Sequence, residues 1–508
     1  MTDPLVLDRP TAPDRRLEPP AWRPGGIDWR GPAGRLLLLL NVGLAGWYLV
    51  WLLGPGRASH PLLYGLLVGA EMFNLVQGIG FWWTVSRITH HGAARRVPVH
   101  VPVDVLIPTY DEPVDIVEPT VAAARRIRGD DVRVVLLDDG GRPEMAEMAR
   151  RHGVGYLHRQ GSEGAKAGNI NAALPHVHAP FVAILDCDHV PTPDFLEVCL
   201  AGFEAPHVAF VQTPQYYANH DRGGVAAASW EQQELFFGTI ARGRDALDAM
   251  FCCGTNVVFR REALEAVGGF SLDSLTEDFE LSVRLHEQGW TTRYVPEVVA
   301  SGLGPEDMAS YVSQQLRWAR GCLSTLPRLL AARLPLRQRV QYLLSAAYWL
   351  TGWTLLVYMT FPVVRILTGE QPVAVSTPES FLVHWGPYFL ASMVTVGLAA
   401  GGRYRWSAFA LMSANFWIHV SASLLTLLRR KGSFAVTPKQ GVDGRQVRPV
   451  LVPLAACAVL AVVACYGLAV SRSPATVTNV SFALVHLVVI ASGIRFALLP
   501  ARPGGGTR

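Results

Sequence analysis

The feature that most constrains the fold is an uncharged, strongly apolar run from Leu36 to Gly54. A helix needs about 20 apolar residues to cross a bilayer, so this run predicts a membrane-spanning helix. The run follows a tail rich in proline and arginine and is too long for the core of a cleavable signal peptide. The chain is therefore expected to be held in a membrane from near its N-terminus.

A second apolar run, Pro61 to Ser86, also predicts a membrane span, and it carries Glu71, Asn74 and Gln77 at intervals of three. These polar residues fall roughly on one helix face, and polar groups in a bilayer normally face protein or water. Two interpretations are open: hydrogen bonds between helices, or a polar stripe that lines a conduit.

Most of the middle of the chain, from Arg87 to about Val340, contains no uncharged stretch long enough to span a membrane. Apolar stretches then return at 342–368, 381–400, 406–428, 450–470 and 475–499.

Half of all residues are hydrophobic and only 17% are charged, against about 25% in soluble domains. The composition excludes a single soluble globule. Seven cysteines without a C-x-x-C pair exclude a zinc cage or a secreted disulfide scaffold, and a net charge of +4 does not indicate a nucleic-acid partner.

Basic residues orient these segments, because cytoplasmic loops carry an excess of arginine and lysine. The N-terminal tail is arginine-rich, and Arg87, Arg95 and Arg96 follow the second span, so the tail and the soluble middle are predicted to be cytosolic. The loop 369–380 has no basic residue and is predicted to be external. Segment 406–428 has basic residues on both sides, which predicts an amphipathic interfacial helix rather than a span. The prediction is six spans, two before the soluble domain and four after it.

The soluble middle alternates short β-rich runs (103–108, 132–137 and 181–185) with helical stretches (115–128 and 143–152). This alternation predicts an α/β domain with a mostly parallel sheet covered on both faces. Ligands of such sheets lie at the carboxyl ends of the strands. Acidic residues stand at those ends, namely Asp111, Asp138, Asp139, Asp186 and Asp188.

Each acidic motif has a plain alternative. Asp186-x-Asp188 can bind Mg²⁺ or Mn²⁺, which take oxygen ligands and substrate phosphates, but an aspartate-rich turn looks the same. Asp138-Asp139 fits an ordinary strand exit equally well, and Asp111 fits a helix entry.

Further candidates lie on loops and helix starts. Lys166 is one of only three lysines among 45 basic residues and lies in a small-residue loop before a helix, where it could contact a phosphate; the alternative is a flexible loop. Asp278 lies in a helical first turn, where acids are also ordinary dipole partners. Gln314, Arg317 and Trp318 share one face of a helix that is expected to begin at Pro305, where packing is the alternative to binding a phosphate and a sugar ring.

Taken together in chain order, these motifs resemble the processive membrane synthases of glycosyltransferase family 2. The resemblance rests on Asp111, Asp138-Asp139-Gly140, Lys166-Ala167-Gly168-Asn169, Asp186-x-Asp188, Thr213-Pro214-Gln215, Phe251-Cys252-Cys253-Gly254-Thr255, Thr276-Glu277-Asp278 and Gln314-x-x-Arg317-Trp318. Phe434-x-Val436-Thr437-x-Lys439 is similar to the gating loop of bacterial cellulose synthase catalytic subunits. The resemblance covers about residues 35 to 499.

The resemblance implies a role for each matching residue. Asp278 would be the catalytic base, and Asp186 and Asp188 would hold UDP and the metal, Mg²⁺ or Mn²⁺. The donor UDP-sugar would be bound by Asp111, Asp139, Lys166, Asp186, Asp188, Gln314 and Arg317. The acceptor would be bound by Trp318, Thr276, Glu277, Cys253, Gly254 and Thr255. The gating loop, with Phe434, Val436, Thr437 and Lys439, would close over the bound UDP-sugar.

The resemblance also implies a domain plan with a GT-A-like cytosolic domain inserted in a transmembrane bundle. The plan runs as a cytosolic tail (1–33), two transmembrane helices (34–90), the glycosyltransferase domain with an interfacial helix (98–335), two transmembrane helices and an interfacial helix (342–428), the gating loop (429–448), two transmembrane helices (450–499) and a C-terminal tail (500–508). Bacterial cellulose synthase subunits often carry a C-terminal PilZ domain, which we do not expect in this chain. Cys252 departs from the usual second phenylalanine, which leaves the donor sugar open.

The implied activity is polymerisation of UDP-glucose into a β-glucan, with β-1,4-glucan as the first expectation, and export across the bacterial plasma membrane to a periplasmic or cell-surface partner. The alternatives are a β-1,3 or mixed-linkage glucan, another UDP-sugar, or a non-processive transferase acting on a lipid-linked sugar.

Overall fold

The computed structural model describes residues 27–89, 94–374, 378–430 and 446–498. Its helices are α1 (Pro32–Leu52), α2 (Pro61–Val85), α3 (Val114–Ala124), α4 (Pro143–Arg151), α5 (Ala165–Ala173), α6 (Phe195–Leu200), α7 (Gly224–Leu235), α8 (Ala241–Ala246), α9 (Arg261–Ala266), α10 (Glu277–Glu287), α11 (Met308–Ser324), α12 (Leu326–Ala331), α13 (Leu336–Tyr348), α14 (Thr351–Thr368), α15 (Pro378–Ala399), α16 (Trp406–Ala414), α17 (Phe416–Leu427), α18 (Leu451–Val470) and α19 (Pro474–Leu498). Its strands are β1 (Val103–Thr109), β2 (Val132–Asp138), β3 (Gly155–Leu157), β4 (Phe181–Ile184), β5 (Val190–Pro191), β6 (Val208–Gln212), β7 (Tyr216–Tyr217), β8 (Val257–Arg260), β9 (Thr291–Tyr294) and β10 (Ala300–Gly302).

Seven strands form the main sheet, in the order β3-β2-β1-β4-β8-β6-β9. Strand β8 runs antiparallel to both of its neighbours, and the other adjacent pairs are parallel. Strands β5, β10 and β7 form a small second sheet. The mostly parallel α/β sheet predicted from the sequence is confirmed.

The main sheet is covered on both faces, as its apolar strands require. Every residue of β1 is buried. Side chains of α3, α4 and α6 pack on one face, and side chains of α5, α9 and α10 pack on the other. Alternate residues of β1 pack on opposite faces of the sheet. Val105 and Ile107 pack with α3, α4 and α6, and Leu106 packs with α5, α9 and α10.

Seven helical segments of the described chain are long and apolar enough to cross a membrane: Pro32–Leu52, Pro61–Val85, Thr351–Thr368, Glu379–Ala399, Trp406–Leu427, Arg448–Val470 and Pro474–Leu498. They include Trp406–Leu427, which the sequence predicts to be interfacial. This segment is interrupted at Asn415 between α16 and α17 and is more than half buried. Helix α17 packs along α11, and α16 packs on α7 and α19. Its interfacial placement and the count of six spans stay predictions.

The polar face of α2 makes hydrogen bonds to other helices. Asn74 Nδ2 donates to Tyr358 Oη of α14 at 2.8 Å, and Gln77 Nε2 donates to the Leu344 carbonyl of α13 at 3.4 Å. Glu71 is buried beside Tyr48 and the ring of Tyr388. Of the two interpretations of this face, the contacts favour hydrogen bonds between helices.

Two helix starts differ from the sequence prediction for local reasons. Helix α11 begins at Met308 rather than at Pro305, since Asp307 Oδ1 accepts the backbone N–H of Ser310 at 2.9 Å and acts as the N-cap. Helix α5 begins at Ala165, after Gly164 in the left-handed region (φ 69°), so Lys166 lies in its first turn and not in the preceding loop.

The sheet domain and the bundle meet where Gly243 of α8 approaches the backbone of α2. A Cβ added at Gly243 would lie 2.3 Å from the Thr84 carbonyl oxygen. We expect Gly243→Ala to lower the free energy of unfolding by about 1–3 kcal/mol, the usual cost of overpacking a tight contact. The check is the thermal unfolding midpoint of the detergent-solubilised protein. Gly69→Ala is the matched control, because nothing lies within 4 Å of a Cβ there; equal midpoints for the two variants would contradict a tight α8–α2 contact.

Candidate active site

Three neighbouring strands bring the predicted acids to one edge of the main sheet. Strands β2, β1 and β4 lie side by side and parallel, so their carboxyl ends lie together. Asp139 follows β2, Asp111 follows β1, and Asp186 follows β4. Asp111 is exposed at this edge.

The two neighbouring acids at the end of β2 have different environments. Asp138 is fully buried and accepts hydrogen bonds from the backbone N–H of Arg142 at 2.7 Å and from Tyr156 Oη at 3.0 Å. Asp139 instead pairs with Arg159 through two hydrogen bonds, of 2.6 and 2.8 Å. Asp138 therefore stabilises the turn after β2, whereas the guanidinium of Arg159 sets the orientation of Asp139.

Arg159 also connects Asp139 to the start of α5. Its Nη2 donates to the Ala165 carbonyl oxygen at 3.1 Å, and Lys166 is the next residue. The sequence analysis did not identify Arg159, because nothing in the spacing of an arginine 20 residues after an aspartate indicates a pair.

Lys166 lies at the centre of the site. Its Nζ donates to Asp186 Oδ1 and, at 2.7 Å, to the Gly254 carbonyl oxygen. Burial alone would lower the pKa of Lys166, but the carboxylates of Asp186, Glu277 and Asp278 outweigh it and raise the pKa above its ordinary value. Lys166 therefore stays a fixed positive charge among three acids.

Gly254 allows Asp278 and Lys166 to approach the same turn. The glycine has φ 83°, and an added Cβ would lie 3.0 Å from Asp278 Oδ2 and 3.6 Å from Lys166 Nζ. Any side chain at this position would be strained and would enter the space between the carboxylate and the ammonium. The site thus requires glycine here for room as well as for backbone conformation.

The residues next to Gly254, from Cys252 to Thr255, form hydrogen bonds with several other segments of the site. Thr255 Oγ1 accepts the backbone N–H of Asp186 at 2.8 Å, and the Cys253 carbonyl accepts Gln215 Nε2 at 2.6 Å. The backbone N–H of Cys252 donates to Ser282 Oγ, which in turn donates to the Asp278 carbonyl, each at 2.8 Å. These bonds position Asp278 relative to the turn.

Asp278 occupies the first turn of α10, and its Oδ1 accepts the backbone N–H of Phe279 at 2.8 Å. Burial and the neighbouring charge of Glu277 raise the pKa of Asp278 to about 7, against the opposing effects of Lys166 and Arg317. A carboxylate with such a pKa is suited to accept a proton near neutral pH.

Helix α11 carries the predicted site residues Gln314, Arg317 and Trp318. Its Gly321 lies against Thr276, since an added Cβ would be 2.3 Å from Thr276 Cγ2. Burial raises the pKa of both Glu277 and Asp278, and the positive charge of Arg317 opposes that rise. The side-chain oxygen of Gln314 is buried without a hydrogen-bond partner among the described residues.

Trp318 lies where the site meets the bundle. It is partly buried and packs against a cluster that includes Leu323 of α11, Trp349 and Ala422 of α17. The structure therefore brings Lys166, Asp186, Gly254, Asp278 and the face of α11 together at the junction of sheet domain and bundle. The gating-loop residues Phe434, Val436, Thr437 and Lys439 lie outside the described residues.

The structure places a third potential metal ligand, His189, beside the two aspartates that the sequence analysis assigns to a metal. Ligand atoms of Asp186, Asp188 and His189 all lie within 4.8 Å of one another. His189 Nδ1 lies 3.2 Å from Asp188 Oδ1, and its Nε2 is buried without a partner among the described residues. Two carboxylates and an imidazole suit Mn²⁺, and the carboxylates suit Mg²⁺, so the residues present fit a divalent cation. The signal for His189 was its position directly after the D-x-D motif.

Comparisons with known proteins identify the family to which this chain belongs. Residues 181–490 match the family model described as glycosyl transferase family group 2. The cellulose synthase catalytic subunit [UDP-forming] of Komagataeibacter sucrofermentans is 33% identical over 419 residues, which cover 78% of this chain and 55% of that protein. The corresponding subunit of Pseudomonas fluorescens is 33% identical over 420 residues, covering 77% of this chain and 56% of that protein. The chain thus spans about half the length of these curated relatives.

One solved structure shares the fold at low sequence identity. The mannosyltransferase PcManGT of Pyrobaculum calidifontis, solved in complex with GDP-Man and Mn²⁺, is 17% identical with a TM-score of 0.54 and covers 72% of this chain and 99% of its own. This likeness confirms the GT-A-like fold of the sheet domain. The family model covers well over half of the chain, so the protein belongs to glycosyl transferase family group 2 and is cellulose-synthase-like within it.

Proposed function

We propose that this protein is a processive, inverting glycosyltransferase that polymerises UDP-glucose into β-1,4-glucan and passes the product across the plasma membrane through its helix bundle. The observation that carries the proposal is the convergence of Asp278 and Lys166 on Gly254, with Asp186 bound to the same lysine. The similarity to cellulose synthase catalytic subunits [UDP-forming] supports the donor and the linkage.

The donor would bind along the sheet edge. Asp111 and Asp139 would contact the uridine, and Lys166 would contact the diphosphate as a fixed positive charge. Gln314 and Arg317 would hold the nucleotide sugar from α11. Asp186, Asp188 and His189 would hold Mg²⁺ or Mn²⁺, which when bound would neutralise charge on the departing diphosphate.

The transfer step needs one proton acceptor. Asp278 would take the proton of the acceptor hydroxyl while that oxygen bonds to the anomeric carbon and UDP leaves from the opposite side. Attack opposite the leaving group inverts the centre, so an α-linked donor gives a β-linked product.

The acceptor end of the polymer would rest at the junction with the bundle. Thr276, Glu277, Cys253, Gly254 and Thr255 form the turn and helix start around Asp278. Trp318 would offer a flat apolar face to a sugar ring, and such a face tolerates movement of the polymer by one residue. The gating loop at Phe434, Val436, Thr437 and Lys439 would close over the donor.

The pH dependence of the rate should report the state of Asp278. Since the base works only when ionised, lowering the pH through its pKa of about 7 should reduce the rate at limiting donor, by roughly tenfold for each further pH unit. Glu277→Gln removes a neighbouring negative charge and should move the midpoint to lower pH. Glu280→Gln, which changes the same group elsewhere on α10, should leave it in place. A wild-type midpoint near 4 would contradict the assignment.

The proposed activity is tested with membrane vesicles incubated with each radiolabelled UDP-sugar. We expect UDP release and an insoluble product from UDP-glucose that β-1,4-specific endoglucanase digests and β-1,3-glucanase does not. Digestion by the β-1,3 enzyme, or incorporation of another sugar, would assign a different polymer. Label recovered only in a lipid extract would indicate a non-processive transferase.

In the cell, the sheet domain would face the cytosol, where UDP-sugars are made, and the bundle would lie in the plasma membrane. The polymer would leave on the opposite side, to an export partner in the periplasm or at the cell surface.

A further inference from the structure

A cavity of about 350 Å³ lies at the end of α1 and α2 that faces the sheet domain, away from the candidate active site. Its lining is unusually basic for so small a space, and it consists of Trp29, Arg30, Arg35, Leu38, Ser86 and Arg87. The proposed glycosyl transfer uses none of these residues.

A tight turn before α1 builds one wall of the cavity. Trp29 is only 3% exposed and packs with Val85, Ile88 and Ala399. Gly34 allows this turn to lie against α1, since an added Cβ would be 2.4 Å from the Asp28 carbonyl oxygen. Arg30 is thereby held over the end of α2, where its Nη2 donates to the Arg87 carbonyl at 2.8 Å.

The side chains of Arg30, Arg35 and Arg87 are exposed to solvent around the cavity. Three of the six lining residues are arginines, and none of the six is acidic. The nearby acid Asp28 accepts the backbone N–H of Arg30 through its Oδ1 at 2.9 Å. Arg35 lies at the N-terminal end of α1, where the helix dipole disfavours a positive charge, and the N-cap residue Gly31 provides no side-chain acceptor. An anion in the cavity would be favoured both by the guanidinium groups and by the start of the helix.

The depth of the cavity indicates the source of that anion. Directly after Arg35, the side chains of Leu36, Leu39 and Leu40 are exposed by 68%, 68% and 49%. In a membrane-spanning helix such leucines face lipid tails, so Arg35, which directly precedes them, lies near the level of the lipid phosphates. Basic pockets at this level between membrane helices are suited to anionic headgroups.

We propose that this cavity binds the phosphate of an anionic phospholipid headgroup in the leaflet next to the sheet domain. The bound lipid would bridge the start of α1 and the end of α2, and it would brace the pair of helices that leads into the sheet domain.

The test uses the full-length protein in detergent and native mass spectrometry with added phosphatidylglycerol or phosphatidylcholine. The pocket variant combines Arg30→Gln, Arg35→Gln and Arg87→Gln. The matched control combines Arg125→Gln, Arg126→Gln and Arg133→Gln, which removes three exposed charges from the sheet domain. We expect wild type to retain phosphatidylglycerol over phosphatidylcholine, the pocket variant to bind it roughly a hundredfold more weakly, and the control to match wild type.

Two results would overturn the proposal. One is equal retention of phosphatidylglycerol by the pocket and control variants. The other is its complete displacement by excess inorganic phosphate, which would assign the cavity to a free anion. If the triple glutamine variant does not fold, two other variants provide the test. The triple lysine variant should still bind phosphatidylglycerol, and Arg35→Gln alone should bind it more weakly. If either variant behaves otherwise, the assignment is rejected.

Discussion

Asp278→Asn should lower the rate of sugar transfer by about 10²–10⁴-fold while leaving UDP binding close to wild type. The substitution keeps the size of the side chain but removes the proton acceptor, and a positioned general base contributes about 10²–10⁴-fold to the rate. The amide can still accept the backbone N–H of Phe279, which the carboxylate accepts at 2.8 Å, so the start of α10 should keep its geometry. The measurements are polymer formation from UDP-glucose in vesicles and UDP affinity by calorimetry.

The matched control for this variant is Asp273→Asn, which makes the same chemical change at an exposed position just before α10. It should keep wild-type activity. A near-normal polymer yield from Asp278→Asn would reject the base assignment. A parallel loss of UDP affinity would instead assign Asp278 to donor binding.

Lys166→Met should lower kcat/KM for the UDP-sugar by roughly 10²–10³-fold, the usual effect of removing one group that stabilises developing negative charge. The methionine retains most of the volume of the lysine side chain but contributes no charge opposite Asp186, which Lys166 now contacts. Two hydrogen bonds are lost, one to Asp186 and one to the Gly254 carbonyl. The donor affinity should therefore fall together with the rate.

Arg125→Met serves as the control, because it removes an exposed positive charge at the C-terminal end of α3 and lies outside the candidate active site. It should have no effect on kcat/KM. If Lys166→Met changed thermal stability alone, with wild-type kinetics for the folded fraction, Lys166 would be a structural cation that only neutralises the acid cluster.

The framework of the sheet domain could be predicted because each element has a local cause. The buried apolar runs that form β1, β2 and β4 are continuous in sequence, and the acids that follow them must lie at the same edge once the strands are parallel. The seven apolar segments are equally local, since length and hydrophobicity suffice to recognise them. By contrast, the left-handed conformation of Gly164 and the cap at Asp307 set the starts of α5 and α11, which hydrophobic periodicity cannot resolve.

The contacts that make a site of these acids could not be predicted, because they join residues far apart in the chain. Asp138 and Asp139 looked equivalent in sequence, yet the first is enclosed by Arg142 and Tyr156 and the second is turned toward Arg159. The need for glycine at position 254 becomes apparent only when α10 and α5 bring Asp278 and Lys166 to either side of it.

The sequence by itself determined a membrane-embedded α/β protein with acids at the carboxyl ends of parallel strands, because hydrophobic length and strand periodicity are properties of neighbouring residues. Only the tertiary structure decided which carboxylates share a lysine, which histidine joins the D-x-D pair, and where arginines gather at the end of α1 and α2. Those outcomes depend on burial and charge contributed by distant segments, and they exist only once the sheet and the bundle have packed together.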